Sequence, residues 1–305
     1  MIVICNISAL RIHERFGGAL TEMADGQPII PALNARGLSA IDIEGFRASM
    51  GDLHVIAPSR ADRCQEAGVV SHVCTMPLPS SSVRLVKPGV AVASVALAAL
   101  LMSRTLSDHN VVRLLYELCA TYRVNDYRTA HAPLARIDCL REEFAQLSNM
   151  RGSKRILMLS HYVADGSASP RETDLAMLVW LPHHLGGFGL PLGELNREVS
   201  IGRIKRRFDL FFRTTNVGIE YDSDENHAGA RNNTDDAVRR KQLENHGFRV
   251  VPITNGELKN PQLTYDAVHL IAKLLNLRIR PPKGKSAEER MHLHRYINTP
   301  HVPFF

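Results

Sequence analysis

The segment from Arg207 to Asp222 constrains this chain more than any other. It holds two strand-like runs, Arg207–Arg213 and Asn216–Asp222, joined by Thr214-Thr215-Asn216, a connection short enough for a β-hairpin. Side chains along a strand alternate faces with period two. Glu220 and Asp222 therefore share one face, while Ile219 and Tyr221 point the other way, toward a core. Asp209, on the neighbouring strand, comes beside them in a suitable register. Three carboxylates on one sheet face repel each other unless a cation neutralises them. Hard divalent ions such as Mg²⁺ or Mn²⁺ prefer this oxygen-only ligation. Glu172, on the preceding predicted helix, makes a fourth candidate.

The rest of the chain reads as two folded parts. Its 305 residues, 45% hydrophobic and 22% charged, exclude disorder over the whole length. The longest apolar stretch, Val90–Met102, is too short to span a bilayer. The first residues lack a basic start before their apolar run, so no signal peptide is expected. Five irregularly spaced Cys fit reduced thiols, and the expected location is cytoplasmic, with no membrane partner.

An α+β N-terminal domain is expected over 1–155. Residues 1–50 read as one or two short helices. Leu53–Ala57, Gly68–Met76 and Val83–Val95 read as strands, with a hairpin turn at Lys87-Pro88-Gly89. Helical spacing follows in 94–105, 108–122 and 133–149. Small and polar residues around Asp165–Ser169 suggest a boundary at 150–168. The second domain, 165–280, opens with Ser169-Pro170-Arg171-Glu172, the pattern of an N-cap, a Pro at N1 and a Glu at N3. Strands are expected at 198–201, 207–213, 216–222 and 248–254, and helices at 235–246 and 264–276. The basic tail 281–305, with Pro281-Pro282 and Lys283-Gly284-Lys285, looks weakly ordered.

Several of these residues together resemble a known family. Glu172-Thr173, Asp209, Ile219-Glu220-Tyr221-Asp222 with His227, and Asp236-x-x-Arg239-x-x-x-Leu243-x-x-x-Gly247 before the strand Phe248–Val251 look like the restriction-endonuclease-like PD-(D/E)XK superfamily. The branch they resemble is that of the very-short-patch-repair-like endonucleases, over residues 165–260. The resemblance implies a mixed β-sheet flanked by helices, with the metal site at one sheet edge. It also implies a Mg²⁺- or Mn²⁺-dependent endonuclease acting on nucleic acid, DNA in particular. Asp209, Glu220 and the Tyr221 carbonyl would then be metal ligands, and Asp222, Glu172 and His227 the rest of the catalytic set. The superfamily's usual Lys, two residues after the second acid, is Asp222 here, as in the very-short-patch-like branch. Ser223 stands where that branch often carries Gly. The polarising cation is left open among Lys205, Arg239, Lys241 and His227.

A net charge of +6 tilts the partner expectation mildly toward polyanions. Lys205-Arg206-Arg207, with Arg203 and Arg213, stands beside Asp209, and Arg239, Arg240 and Lys241 follow later. Phosphate contact is one reading; a solvated strand edge and i,i+4 ion pairs are the other. Through Ser8-Ala9-Leu10, Pro77-Leu78-Pro79 and Val92-Ala93-Ser94, residues 1–150 resemble the region that accompanies such nuclease domains in some bacterial proteins and, more faintly, abortive-infection type IV antitoxins. The role expected of the first domain is target binding, a partner or dimer surface, or regulation. The antitoxin resemblance also keeps open a second function, a non-catalytic nucleic-acid-binding or antitoxin-like protein. A P-loop, a dinucleotide fingerprint and zinc-finger spacing are all missing from the sequence.

Overall fold

The computed structural model describes residues 1–23, 28–33, 38–39, 41–126, 129–201, 204–222 and 241–305. The chain divides into two compact units, each interrupted in sequence. The first comprises 1–118, 134–161 and 304–305; the second comprises 119–133 and 162–303. Each unit carries a mixed β-sheet flanked by helices.

The first unit is built on β1 (Ile2–Ile4), α1 (Asn6–Phe16), β2 (Thr21–Glu22), α2 (Ile43–Met50), β3 (Leu53–Ala57), β4 (Val69–Val73), β5 (Val83–Lys87) and β6 (Val90–Ala93). Helices α3 (Val95–Ser103), α4 (Asp108–Cys119), α5 (Ile137–Gln146) and α6 (Ser153–Ser160) follow. Its six strands run in the order β2-β5-β6-β1-β3-β4. Strand β1 is parallel to β6 and antiparallel to β3, and all three of its residues are buried. A strand with neighbours on both sides and helices above it reads as a plain apolar run, here Ile2-Val3-Ile4. Helix α3 starts at Ser94, whose side chain accepts from Leu97 N. Almost every residue of α3 is buried, which is why it is apolar all round.

The second unit is built on α7 (Pro170–Trp180), β7 (Glu194–Ile201), β8 (Ile204–Phe212), β9 (Val217–Asp222), β10 (Arg249–Thr254), α8 (Asn255–Lys259), α9 (Pro261–Leu274) and α10 (Lys285–Ile297). Residues 241–245 are also helical. Strands β7, β8 and β9 form an antiparallel meander, and β10 joins β9 in parallel. Phe208, Phe211 and Leu243 form a buried cluster, packed by Val199, Phe248 and Val250. The rings of Phe208 and Phe211 stack with centroids 5.4 Å apart. The Phe208 ring also lies where a side chain on Gly218 would sit: a Cβ there would come within 2.4 Å of it.

Several sequence expectations change. The first 50 residues contain strands β1 and β2 as well as the two helices. Helix α6 occupies part of the expected 150–168 boundary, and the division into units falls at 161/162. Residues 119–133, expected in the N-terminal domain, belong to the second unit. Strand β7 begins at Glu194 rather than 198. The tail expected to be weakly ordered contains α10, which buries Arg290, Leu293, His294 and Ile297.

The packing at Gly218 yields an expected outcome. Gly218→Ala should destabilise the protein by about 1–3 kcal/mol, because the stacked Phe208 ring must move. Gly256→Ala, in the first turn of α8, where an added Cβ would meet only Thr254 Oγ1 at an ordinary 3.9 Å, should be neutral or stabilising by up to ~1 kcal/mol. Urea unfolding midpoints of the two variants provide the check, and equal midpoints would contradict the packing described.

Candidate functional site

The carboxylates of the hairpin sit where two strands part. The β8–β9 ladder pairs Phe212 with Val217, Phe211 with Gly218 and Leu210 with Ile219. One position further on stand Asp209 and Glu220. There the Asp209 carboxylate takes over from the backbone: its Oδ2 accepts a hydrogen bond from the Tyr221 N–H at 2.6 Å. Asp209 is thereby fixed to the middle of the Glu220-Tyr221-Asp222 tripeptide, and all four residues are half-buried.

The other side of β8 is irregular at the same level. Phe208 pairs with Arg197 and Leu210 with Leu195, which brackets Asn196 opposite Asp209. Asn196 adopts the left-handed region, φ 49°, which Asn tolerates better than most residues. Its Nδ2 donates to the Gly166 carbonyl at 2.9 Å and to Glu172 Oε2. Glu172 and Asp209 are thus the two acids on either side of Asn196, one reached through its side chain and one across the strand pair.

Glu172 is almost fully enclosed and already well satisfied. Its Oε2 also accepts from Ala168 N at 2.8 Å, and its Oε1 accepts from the Ser169 hydroxyl at 3.1 Å. Its own N–H donates to Ser169 Oγ, the expected N-cap. Burial raises its pKa; the hydrogen bonds from Ala168, Asn196 and Ser169 and the charge of Arg207 oppose that rise. Around it the first turn of α7 is held by further bonds. Thr173 Oγ1 meets Ser167 Oγ at 2.8 Å and Tyr122 OH at 3.1 Å. Fully buried Asp174 meets His301 at 2.8 Å and Arg171 at 3.3 Å. These bonds assign Glu172 to anchoring the helix start.

The basic residues are partly engaged. Lys205 and Arg207 are exposed and Arg206 half-buried. Lys205 pairs with Glu198 at 2.9 Å, and Arg213 pairs with Glu194 at 2.8 Å, both across β7–β8. Such exposed pairs hold each other weakly, so a polyanion can displace the acidic partner. Lys241 is exposed at the start of the helical segment 241–245. His227, Arg239, Arg240, Arg203 and Ser223 lie outside the described residues.

The donor set offered to a hard cation is chemically suitable but small: Asp209, Glu220 and the Tyr221 carbonyl, all oxygen. Among the described residues no group of three or more His, Cys, Asp or Glu side chains is arranged to hold a metal ion. The three- and four-carboxylate versions of the site are therefore not assembled there, and Glu172 is committed elsewhere.

In the first unit the three antitoxin-like motifs serve the fold. Ser8 donates to the Asp52 carbonyl and accepts from His54 N, Leu78 is fully buried, and Ser94 caps α3. Sequence reasoning missed Asn196. Its signal was the interruption of a strand pattern by Asn, a residue depleted in strands. No helix among the described residues is long and apolar enough to cross a membrane. Comparison with protein-family models, with curated proteins and with solved structures finds no match to this chain.

The buried carboxyl of Glu172 sets a pH dependence. Its pKa is raised in the folded protein, so the native state holds this proton more tightly than the unfolded chain does. The corresponding stability is complete below the usual value of 4.5 and is lost as pH rises through the folded pKa. Glu172→Gln removes this titration. The ratio of wild-type to variant stability should therefore fall as pH is raised from about 4 to about 7, read by urea midpoints. Parallel profiles would show that Glu172 does not titrate with folding.

Proposed function

We propose that this chain is a metal-dependent phosphodiesterase of nucleic acid, a DNA endonuclease whose second unit has a restriction-endonuclease-like fold of the very-short-patch-repair-like kind. The observation that carries the reading is the hydrogen bond from Tyr221 N–H to Asp209 at the parting of β8 and β9. It ties the Asp209 carboxylate to the backbone of Tyr221, the residue between Glu220 and Asp222. The Lys205–Arg207 run, only two to four residues earlier on the same strand, stands ready for phosphates.

In this reading Asp209, Glu220 and the Tyr221 carbonyl would hold Mg²⁺ or Mn²⁺. When bound, such an ion supplies Lewis acidity to the scissile phosphate and makes water a better nucleophile near neutral pH. Lys205, Arg206 and Arg207 attract the backbone and orient it along β8. Asp222, next to Tyr221 in the chain, would accept a proton from the attacking water. His227, Arg239 and Lys241 are candidates for stabilising the leaving group. The first unit supplies target binding, a protein partner or a dimer contact, and the protein works in the cytoplasm.

One observation favours a second reading, a non-catalytic nucleic-acid-binding or antitoxin-like protein: no three-acid group is assembled among the described residues. Supercoiled-plasmid nicking across a Mn²⁺ series separates the two. Wild type should nick, and Glu220→Gln, which keeps the side-chain shape, should lower nicking by about 100-fold or more while leaving the fold intact. Lys205→Ala and Arg206→Ala should each lower the salt dependence of DNA binding by about one unit of slope. Equal nicking by wild type and Glu220→Gln would assign the cleavage to another site. No nicking by a folded, DNA-binding wild type would establish the second reading.

A further inference from the structure

Helix α9 carries more apolar surface than its own core uses. Its inner side, with Thr264, Val268, Ile271 and Ala272, is buried in the second unit. A surface helix is expected to show one such stripe and to be polar elsewhere. Here a second apolar row stands beside the first: Leu263, Ala267, Leu270 and Leu274, spaced four, three and four residues apart. That spacing keeps all four on one side of the helix, at the d and a positions of successive heptads. Leu263 is 45% exposed and Leu270 47%, while Ala267 and Leu274 are half-buried.

One edge of the row is charged. Asp266 and Lys273, both exposed, immediately precede Ala267 and Leu274 and so occupy the g positions. Gln262 Nε2 donates to Asp266 Oδ1 at 3.0 Å and steadies that carboxylate. When two copies of α9 lie antiparallel about a two-fold axis between residues 268 and 269, the row meets itself. Leu263 then faces the partner's Leu274, and Ala267 faces the partner's Leu270, so a small side chain stands opposite a large one. The same operation brings the partner's Lys273 to within about 3 Å of Asp266 along the helix axis, on the same edge. A parallel pairing sets g beside e instead. For Asp266 the e residue is Ile271, which is already buried in its own subunit. The charge pattern is thus complementary to itself in the antiparallel direction.

We propose that α9 is the contact of a weak two-fold homodimer, with a second copy of this chain docked antiparallel along Leu263, Ala267, Leu270 and Leu274. Such an interface uses the same patch on both subunits. The row spans about 16 Å, so two helices touching along it bury on the order of 800–1,000 Å² in total, at the low end of protein interfaces. That area suits a reversible dimer with a Kd of about 10–100 µM rather than a permanent one. The contact lies in the second unit, and the inference is independent of the nuclease reading.

Sedimentation velocity of the full-length protein from about 2 to about 500 µM reads the association directly. Wild type should move from monomer toward dimer over this range. Leu270→Glu, at an exposed position, should weaken association at least tenfold with an unchanged urea midpoint. Asp266→Lys and Lys273→Asp should each weaken it about three- to tenfold by setting like charges across the axis. Joined in one chain, the two substitutions restore opposite charges and should return association to near wild-type strength. A wild type that stays monomeric throughout overturns the proposal and leaves the row to a different protein. So does a dimer that Leu270→Glu does not weaken, because its contact lies elsewhere. A double variant as weak as the single ones overturns the antiparallel pairing, and with it the proposed contact.

Discussion

One hydrogen bond, from Tyr221 N–H to the Asp209 carboxylate, governs the layout of the second unit's candidate site. The β8–β9 pairs run from Phe212–Val217 to Leu210–Ile219, and a half-buried N–H just beyond them needs an acceptor. Asp209 provides it from a side chain. A carboxylate bond to a backbone N–H is stronger than a neutral one, so the parting strands are held at a fixed gap rather than left frayed.

The two acids nearest Asn196 show how far environment divides chemically similar groups. Glu172 is enclosed, accepts three hydrogen bonds from Ala168, Ser169 and Asn196, and is pushed by burial toward its neutral form. Asp209 is only half-buried and bonds to a strand N–H next to two further acids. A metal ion gains less from a carboxyl group whose charged form burial disfavours than from one at a partly solvated strand edge. Arg207, two residues before Asp209, tempers the burial of Glu172 with its positive charge.

What the sequence made legible follows from locality. The β8–β9 hairpin showed itself through alternation and a short connection, and the Ser169 cap through four consecutive residues. Strand β1 did not, because three residues are too few for a pattern and its partner β6 lies more than eighty positions away. Helix α10 escaped because two of its buried residues, Arg290 and His294, are polar, so no apolar period marks its inner face. At the site, the sequence left Glu172 equally readable as helix cap and as ligand; the bonds from Ala168 and Asn196, which no local pattern announces, define the cap. Period-two alternation presumes an unbroken extended backbone. It was silent on the kink at Asn196, where left-handed backbone breaks the rule on which alternation rests.

The parallel seating of β10 against β9 has a consequence in time rather than in space. Strands β7, β8 and β9 are adjacent in the chain, so their pairing closes only short loops. Strand β10 pairs with β9 in the same direction, Arg249 against Val217, and the chain must first travel from Asp222 back to the opposite end of the sheet. Closing that longer loop carries a larger entropic penalty, and non-local pairings of this kind form later. The meander, and with it the Asp209–Tyr221 clasp, is the seed onto which β10 zips. A nascent chain emerging from synthesis can thus form the clasp before the residues that wall it on the β10 side have been made.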